Sequence, residues 1–176
     1  MYSKEKEQQL EMGLILEKHF IENLFPKYFG HRSTIKKHED EYNPVDFIAK
    51  NKITQIEKTG QLKVIVPTRK YREISISDKH RKDYEKSNVD VLFHLSTVKY
   101  EDEYGLEPVD IELRFIKFSD IKFIKKTTDI GTRWHIPLKG MTVVKLDETD
   151  QRYLDGMYDK MVRPYENPKY RSKKKF

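Results

Sequence analysis

The segment Pro44 to Thr59, PVDFIAKNKITQIEKT, constrains the fold more than any other stretch, because it sets a carboxylate among residues suited to burial. In Val45-Asp46-Phe47-Ile48-Ala49 the acid would leave water together with its strand. A lone buried carboxylate is costly unless it is paired, protonated or bound to metal. The chain must therefore fold so as to supply Asp46 with a partner. The segment reads as strand, turn, strand, roughly 45–50 and 53–58, joined by Lys50-Asn51-Lys52, with Gly60 turning the chain again. Leu62 to Val66, LKVIV, follows as a short apolar run suited to a central buried strand, and Pro67 ends it.

Upstream, residues 3–25 read as a helix that Ser3 would cap and Pro26 would stop. Steps of about 100° per residue set Leu10, Gly13, Leu14, Phe20, Ile21, Leu24 and Phe25 on one face, with Glu17 near its middle. Glu5, Glu7, Glu11 and Glu22 fall away from that centre. Glu17 is then either paired with an Arg or Lys at the edge of the stripe or an inward-facing functional acid. After the linker PKYFG, the stretch HRSTIKKHEDEY suits a solvent-facing strand, with a turn near Asn43-Pro44.

Downstream, YREISIS alternates like a half-buried strand, and Ser77-Asp78 can cap a helix over DKHRKDYEKS. Lys79, Arg81, Lys82 and Lys86 of that helix are partly balanced by Asp83 and Glu85. It is either a solvated surface helix with internal pairs or a phosphate-contacting face. VDVLFHLSTV is the clearest buried strand, and the acidic KYEDEYGLEP reads as a loop outside the core. Ile111, Leu113 and Phe115 alternate before a helical turn near Ser119-Asp120, and TRWHIPL and MTVVKL read as a closing pair of strands about Lys139-Gly140. Trp134 is read as a packing residue, and DQRYLDGMYDKMV as a short helix.

At 176 residues, with 36% hydrophobic and 36% charged, the chain suits one domain, 1–156, and a basic tail, 157–176. No run approaches the roughly 18 apolar residues of a membrane span, and MYSKEKEQQ lacks the apolar centre of a signal peptide. The expected location is intracellular: cytoplasm, or the nucleus of a eukaryote. The absence of cysteine removes disulfides, thiolate zinc sites and cysteine nucleophiles. The six histidines match neither a helical pair nor a finger pattern, so a metal site would be oxygen-ligated, which points to magnesium. Of the net charge of +6, residues from Met157 onward supply seven cations less two acids, leaving about +1 for the rest. In that tail Tyr158, Tyr165, Tyr170 and Phe176 interleave with Lys169, Arg171, Lys173, Lys174 and Lys175, a composition suited to nucleic acid, to docking a protein partner or merely to solubility.

The order of elements, a helix with an inward acid, a strand, a strand opening on Asp46, a strand with Glu57, a helix and a strand, resembles the restriction-endonuclease-like, or PD-(D/E)xK, nuclease superfamily. The matching residues are Asp46 in PVDFIA, Glu57 in ITQIEKT, Glu17 in the helix, and the segment ISISDKHRKDYEKSNVDVLFHLS for the later helix and strand. The resemblance covers about residues 8 to 97. It implies an α/β fold with a mixed central sheet flanked by helices, an α-β-β-β-α-β core and, here, a C-terminal β extension. It further implies Mg²⁺ held by Asp46, Glu57 and Glu17, an assisting lysine, and phosphodiester hydrolysis of DNA rather than RNA.

The lysine is out of place in that match. Side chains share a strand face at a spacing of two, and Lys58 directly follows Glu57. A bulge at Thr59-Gly60 would turn Lys58 inward, or Lys63 would replace it. Alternatively LKVIVPT runs beside Asp46, with Ile65 and Pro67 in the acid and lysine positions and catalysis lost. The alternative function is a decayed nuclease-fold module that binds nucleic acid or a protein partner within a larger assembly.

Overall fold

The computed structural model describes residues 4–65, 73–102 and 105–161. The chain opens with helix α1 (Lys4–His19), which passes through a widened π turn, Phe20–Leu24, into the short α2 (Phe25–Phe29). Pro26 does not stop the helix. Proline lacks an N–H and its ring crowds the carbonyl four residues back. The turn just before it is bonded i to i−5, from Phe25 N–H to Phe20 O, and proline then enters α2 in its first turn, where no donor is needed. The buried face is Met12, Leu16, Phe20 and Leu24, at a spacing of four. Leu10 and Leu14, expected on that face, are 54% and 66% exposed.

Three strands follow: β1 (Ser33–Lys37), β2 (Phe47–Asn51) and β3 (Glu57–Ile65), antiparallel in turn. Here the two strands expected around Gly60 are a single strand. The chain turns earlier, at Lys52–Thr54, where Asn51 Oδ1 accepts from the backbone of Ile53 and Thr54 and Gln55 takes a positive φ. Gly60 lies inside β3 directly opposite Phe47, and a Cβ on it would fall 2.1 Å from the Phe47 ring. The position needs glycine for close packing, not for a turn. No bulge interrupts Thr59-Gly60: Thr59 pairs with Ile48, and its Oγ1 donates to Asn88 O at 2.7 Å.

Strand β4 (Glu73–Ser77) leaves this sheet, and α3 (Asp78–Lys86) starts at Ser77, whose hydroxyl accepts from His80 N–H. Strand β5 (Val91–Asp102) then returns parallel to β3, which makes the sheet mixed. Strand β6 (Gly105–Lys117) pairs antiparallel with β5 through Asp102 and Gly105, so the described residues of KYEDEYGLEP, 99–102 and 105–108, are strand and not loop. After a 3₁₀ turn at Phe118–Asp120 come β7 (Ile124–Thr128), β8 (Gly131–Pro137) and β9 (Thr142–Val144), and then α4 (Glu148–Met161). TRWHIPL and MTVVKL are not partners: β8 lies between β4 and β7 in a second sheet, while β9 extends the first one beside β6. The central order is β1-β2-β3-β5-β6-β9, an α-β-β-β-α-β core with β4 diverted into a C-terminal β extension. α4 continues across residue 157 to Met161, and the residues beyond it lie outside those described.

Each face of the central sheet has its own core. On one side Phe20, Leu24, Phe47, Phe93 and Leu113 pack beneath α1 and α4, with ring centroids of Phe20, Phe47 and Phe93 5.1–5.6 Å apart. On the other, Leu92 meets Tyr84 of α3 and Ile74, Ile76 and Ile136 of the small sheet. Burying a large apolar side chain contributes about 1.5–3 kcal/mol each, so these alternating residues hold the register of β3 and β5. Trp134 packs as expected, its Nε1 donating to Asp78 Oδ1 at 2.7 Å.

Candidate functional site

Asp46 sits one residue before β2, where two backbone bonds hold it. Its N–H donates to Gly60 O at 2.9 Å, and its Oδ2 accepts from Leu62 N–H at 2.8 Å. The paired β2–β3 register ends at Phe47 and Gly60; beyond it Asp46 reaches β3 at Gly60 O and Leu62 N–H, the residues on either side of Gln61, with Lys63 next in the strand. That spacing places Gln61 and Lys63 on one strand face.

Burial is the chief influence on this group. It pushes the Asp46 carboxyl up to about 7, against the Leu62 N–H, which favours the charged form. Glu17 raises it further, while Lys63 and Lys37 draw it down. Lys63 is lowered by burial first, raised by Asp46 and lowered again by Arg133. Its Nζ lies 5.6 Å from the centre of the Tyr84 ring. Gln61 is only 8% exposed; its Nε2 donates to Leu62 O at 3.3 Å, and its Oε1 is buried with no partner among the described residues. His94, paired with Lys63 in the β3–β5 register, is 2% exposed, and burial pushes it down to about 3, so it stays neutral.

Glu17 reaches the same place from α1. Burial raises its carboxyl, Lys37 lowers it at 4.0 Å and Glu41 raises it. Glu17, Lys37 and Asp46 line one cavity of about 660 Å³ between α1 and the loop that leads into β2. The acid is thus beside a lysine at the edge of its stripe, and it lines the same cavity as Asp46.

The remaining expected residues are placed elsewhere. Glu57 pairs with Lys50 and Lys58 with Ala49, both exposed at the far end of β3. Four strand residues separate Glu57 from Gln61, roughly 13 Å at about 3.3 Å per residue. LKVIV does run beside Asp46, whose carboxylate accepts from Leu62 N–H at its first residue; Pro67 lies outside the described residues. On α3, Arg81 bonds Glu85 at 2.6 Å and lies 4.2 Å over the Trp134 ring, and Lys82 pairs with Asp78 at 2.8 Å. Lys79 and Lys86 are exposed. Lys169, Arg171, Lys173, Lys174 and Lys175 lie outside the described residues. Gln61 escaped the sequence reading because an amide does not look like a ligand. The available signal was Gln61-Leu62-Lys63, a polar residue and a lysine two apart at the mouth of an apolar run.

Among the described residues no three His, Asp or Glu side chains converge as a metal group. What the cavity does bring together is two carboxylates, Asp46 and Glu17; the buried amide oxygen of Gln61, without a partner among the described residues, lies in the adjacent strand. This all-oxygen set suits Mg²⁺, which binds through one or two carboxylates and keeps several waters. Among the described residues no helix is long and apolar enough to cross a membrane.

No protein-family model matches the chain, and no curated protein sequence matches it. Among solved structures, it is similar to Hjc, a Holliday junction resolvase from Archaeoglobus fulgidus, at 10% identity and a TM-score of 0.36, over 67% of this chain and 88% of that one. So loose a likeness adds nothing to the residue geometry.

Proposed function

We propose that this chain is a metal-dependent, nuclease-like protein that hydrolyses phosphodiester bonds in DNA, at a site formed by Glu17, Asp46, Gln61 and Lys63. The observation that carries the reading is the buried Asp46 carboxylate, which shares one cavity with Glu17 and accepts from Leu62 N–H of β3, the residue next to Lys63. Glu17, Asp46 and Gln61 Oε1 would hold Mg²⁺. The ion, when bound, supplies an acidified water and positive charge against the phosphate.

The chain's own groups do the rest. Asp46 must release its proton to serve as a ligand, and with its carboxyl pushed up to about 7 that release is incomplete at neutral pH. Lys63, held beside Asp46 and Tyr84, steadies charge on the phosphate oxygens. Tyr84 and His94 wall off water on its flank and keep that attraction strong. The basic segment from residue 157 adds sequence-independent affinity for DNA, or engages a protein partner.

A second reading, a module on the same fold that binds nucleic acid or a partner without cutting, is favoured by one observation. Glu57, the third carboxylate that the resemblance implies, is exposed at the end of β3 away from Asp46. Incubating labelled single- and double-stranded DNA with the protein, in Mg²⁺ and in EDTA, separates the two. Cleavage that needs Mg²⁺ and disappears in Asp46→Ala supports the nuclease. Cleavage that persists in Asp46→Ala, or none at all beside tight binding, removes it.

A further inference from the structure

The hairpin of β7 and β8 reaches beyond both cores. Every residue of β7 is exposed, Ile124 included, and the strand is paired only with β8, at the edge of the small sheet. A strand that buries so little adds almost no core energy to offset the cost of ordering it. Its tip is as unusual. Thr128 pairs with Gly131, so Asp129-Ile130 is a two-residue loop, and Gly131 is the residue that takes a positive φ, 124°. The turn therefore makes no demand for isoleucine, yet Ile130 stands there 96% exposed.

Charge gathers on the same hairpin. Residues 122–133 hold Lys122, Lys125, Lys126 and Arg133 against Asp129, a surplus of three, where the whole chain before Met157 carries about +1. All four cations are exposed, and the strand alternation sets them on both faces. Lys125 pairs with Trp134 and lies 5.8 Å from the centre of its ring, on the side packed against α3. Lys126 pairs with Arg133 on the other side. Like charges directly opposite one another weaken a strand pair, and an anion between them relieves the repulsion. Glu73 accepts from Lys126 at 3.1 Å, but an exposed pair of this kind offsets little.

We propose that the β7–β8 hairpin is a DNA-binding ribbon that enters the major groove of a duplex tip first, its cations meeting the phosphates on either side and Ile130 the base edges. A two-stranded ribbon fits a groove about 12 Å wide, and an apolar side chain there finds the methyl group of thymine. Lys126 stands three residues before the loop, roughly 10 Å at about 3.3 Å per residue, which matches a groove about 8.5 Å deep. The partner class rests on the action on DNA proposed above, but the ribbon works by charge and shape and needs no metal.

The test is equilibrium binding of a fluorescein-labelled DNA duplex to the full chain in EDTA across a salt titration, with a melting curve and a size-exclusion profile for each variant. The double variant Lys125→Gln, Lys126→Gln is expected to weaken binding at least about tenfold and to lower the slope of log Kd against log salt by about 2. Ile130→Asn is expected to weaken it about fivefold with the slope unchanged, because its contact is apolar. A control of equal charge change, Lys58→Gln with Lys145→Gln, both exposed and outside the ribbon, should match the wild type. If the lysine variant does not fold, Ile130→Asn at the exposed tip decides. Equal losses in control and ribbon variants, no loss in either, or a wild type that does not bind duplex overturns the ribbon. So does a lysine variant that associates with itself, since the lysines would then serve to guard the open edge of β7. Losses confined to the ribbon variants, with no cleavage by the wild type in Mg²⁺, keep the ribbon and remove the nuclease. Cleavage that Asp46→Ala abolishes, with normal binding by the ribbon variants, does the reverse.

Discussion

The two ends of β3 carry nearly the same chemistry in opposite surroundings. At one end Glu57 and Lys58 stand in water, opposite Lys50 and Ala49. At the other, Gln61 is buried and Lys63 lies against Tyr84 of α3, on either side of Leu62, whose N–H binds the Asp46 carboxylate. Adjacent residues point to opposite faces, so Glu57 and Lys58 cannot act together, whereas Gln61 and Lys63 share a face. An acid followed by a lysine is therefore less informative than which residue faces the buried carboxylate. Burial then supplies the chemistry, pushing Asp46 up to about 7 and lowering Lys63.

The largest contrast between the ends is expected in cleavage. Asp46→Ala and Lys63→Met should each reduce Mg²⁺-dependent cleavage by about 10²–10³-fold, the usual cost of removing one electrostatic contact to a reacting phosphate. Glu57→Ala and Lys58→Ala should leave single-turnover rates within about twofold, since solvated groups outside a site contribute little. A loss at Glu57→Ala as large as that at Asp46→Ala would move the working site to the exposed end.

Next in size is the pH dependence of stability. The Asp46 carboxyl lies at about 7 in the folded chain, above its ordinary 3.8. Between those values the native state holds a proton that the unfolded chain has released, so stability falls as pH rises through that window and levels off above it. The slope is on the order of 1.4 kcal/mol per pH unit. His94, pushed down from 6.5 to about 3, acts in the opposite sense over nearly the same window, which is why the difference between wild type and Asp46→Asn is the quantity to follow. Urea unfolding at pH 5 and pH 8 should show the variant gaining on the wild type by a few kcal/mol at the higher pH. Parallel curves would mean that Asp46 is charged and paired, and would remove the case for a desolvated acid.

How far the sequence revealed this arrangement follows from the range of each interaction. The helix with its inward acid, the cap at Ser77, the buried strand 91–95 and the strand opening after Asp46 are all local, and their periodicity shows them. Glu17 and Asp46 were legible for that reason, as was Lys63 as a replacement cation. Three features depend on distant residues and were not. Gly60 looks like a turn until Phe47 packs over it. Gln61 becomes a candidate ligand only once its neighbours Gly60 and Leu62 bind Asp46 and its own Oε1 is buried without a partner among the described residues. The pairing of β8 with β4 rather than β9 depends on contacts between residues far apart in the chain, as between Ser77 and Arg133.

The contact that sets the register can be perturbed directly. Gly60→Ala would drive a Cβ into the Phe47 ring, which also touches Phe20 and Phe93, leaving the ring little room to move. Overpacking of this kind costs about 1–3 kcal/mol. Because Gly60 lies one residue before Gln61, the strain should also disturb Asp46, and the pH difference just described should shrink in the double variant Gly60→Ala, Asp46→Asn. Full additivity of the two changes would show that Phe47 and Gly60 do not hold Asp46 in place.

The smallest effect belongs to the exposed end. Glu57→Gln removes a charge across from Lys50 in an antiparallel pair, where opposite charges contribute roughly 0.2–1 kcal/mol. Both side chains remain in contact with water, and holding them together costs side-chain entropy, so the net change in unfolding free energy should stay within about 0.5 kcal/mol. Urea unfolding at low and high salt checks this. A loss above about 1 kcal/mol that salt does not screen would mean that Glu57 is anchored and desolvated, and the contrast between the two ends of β3 would then be one of position alone.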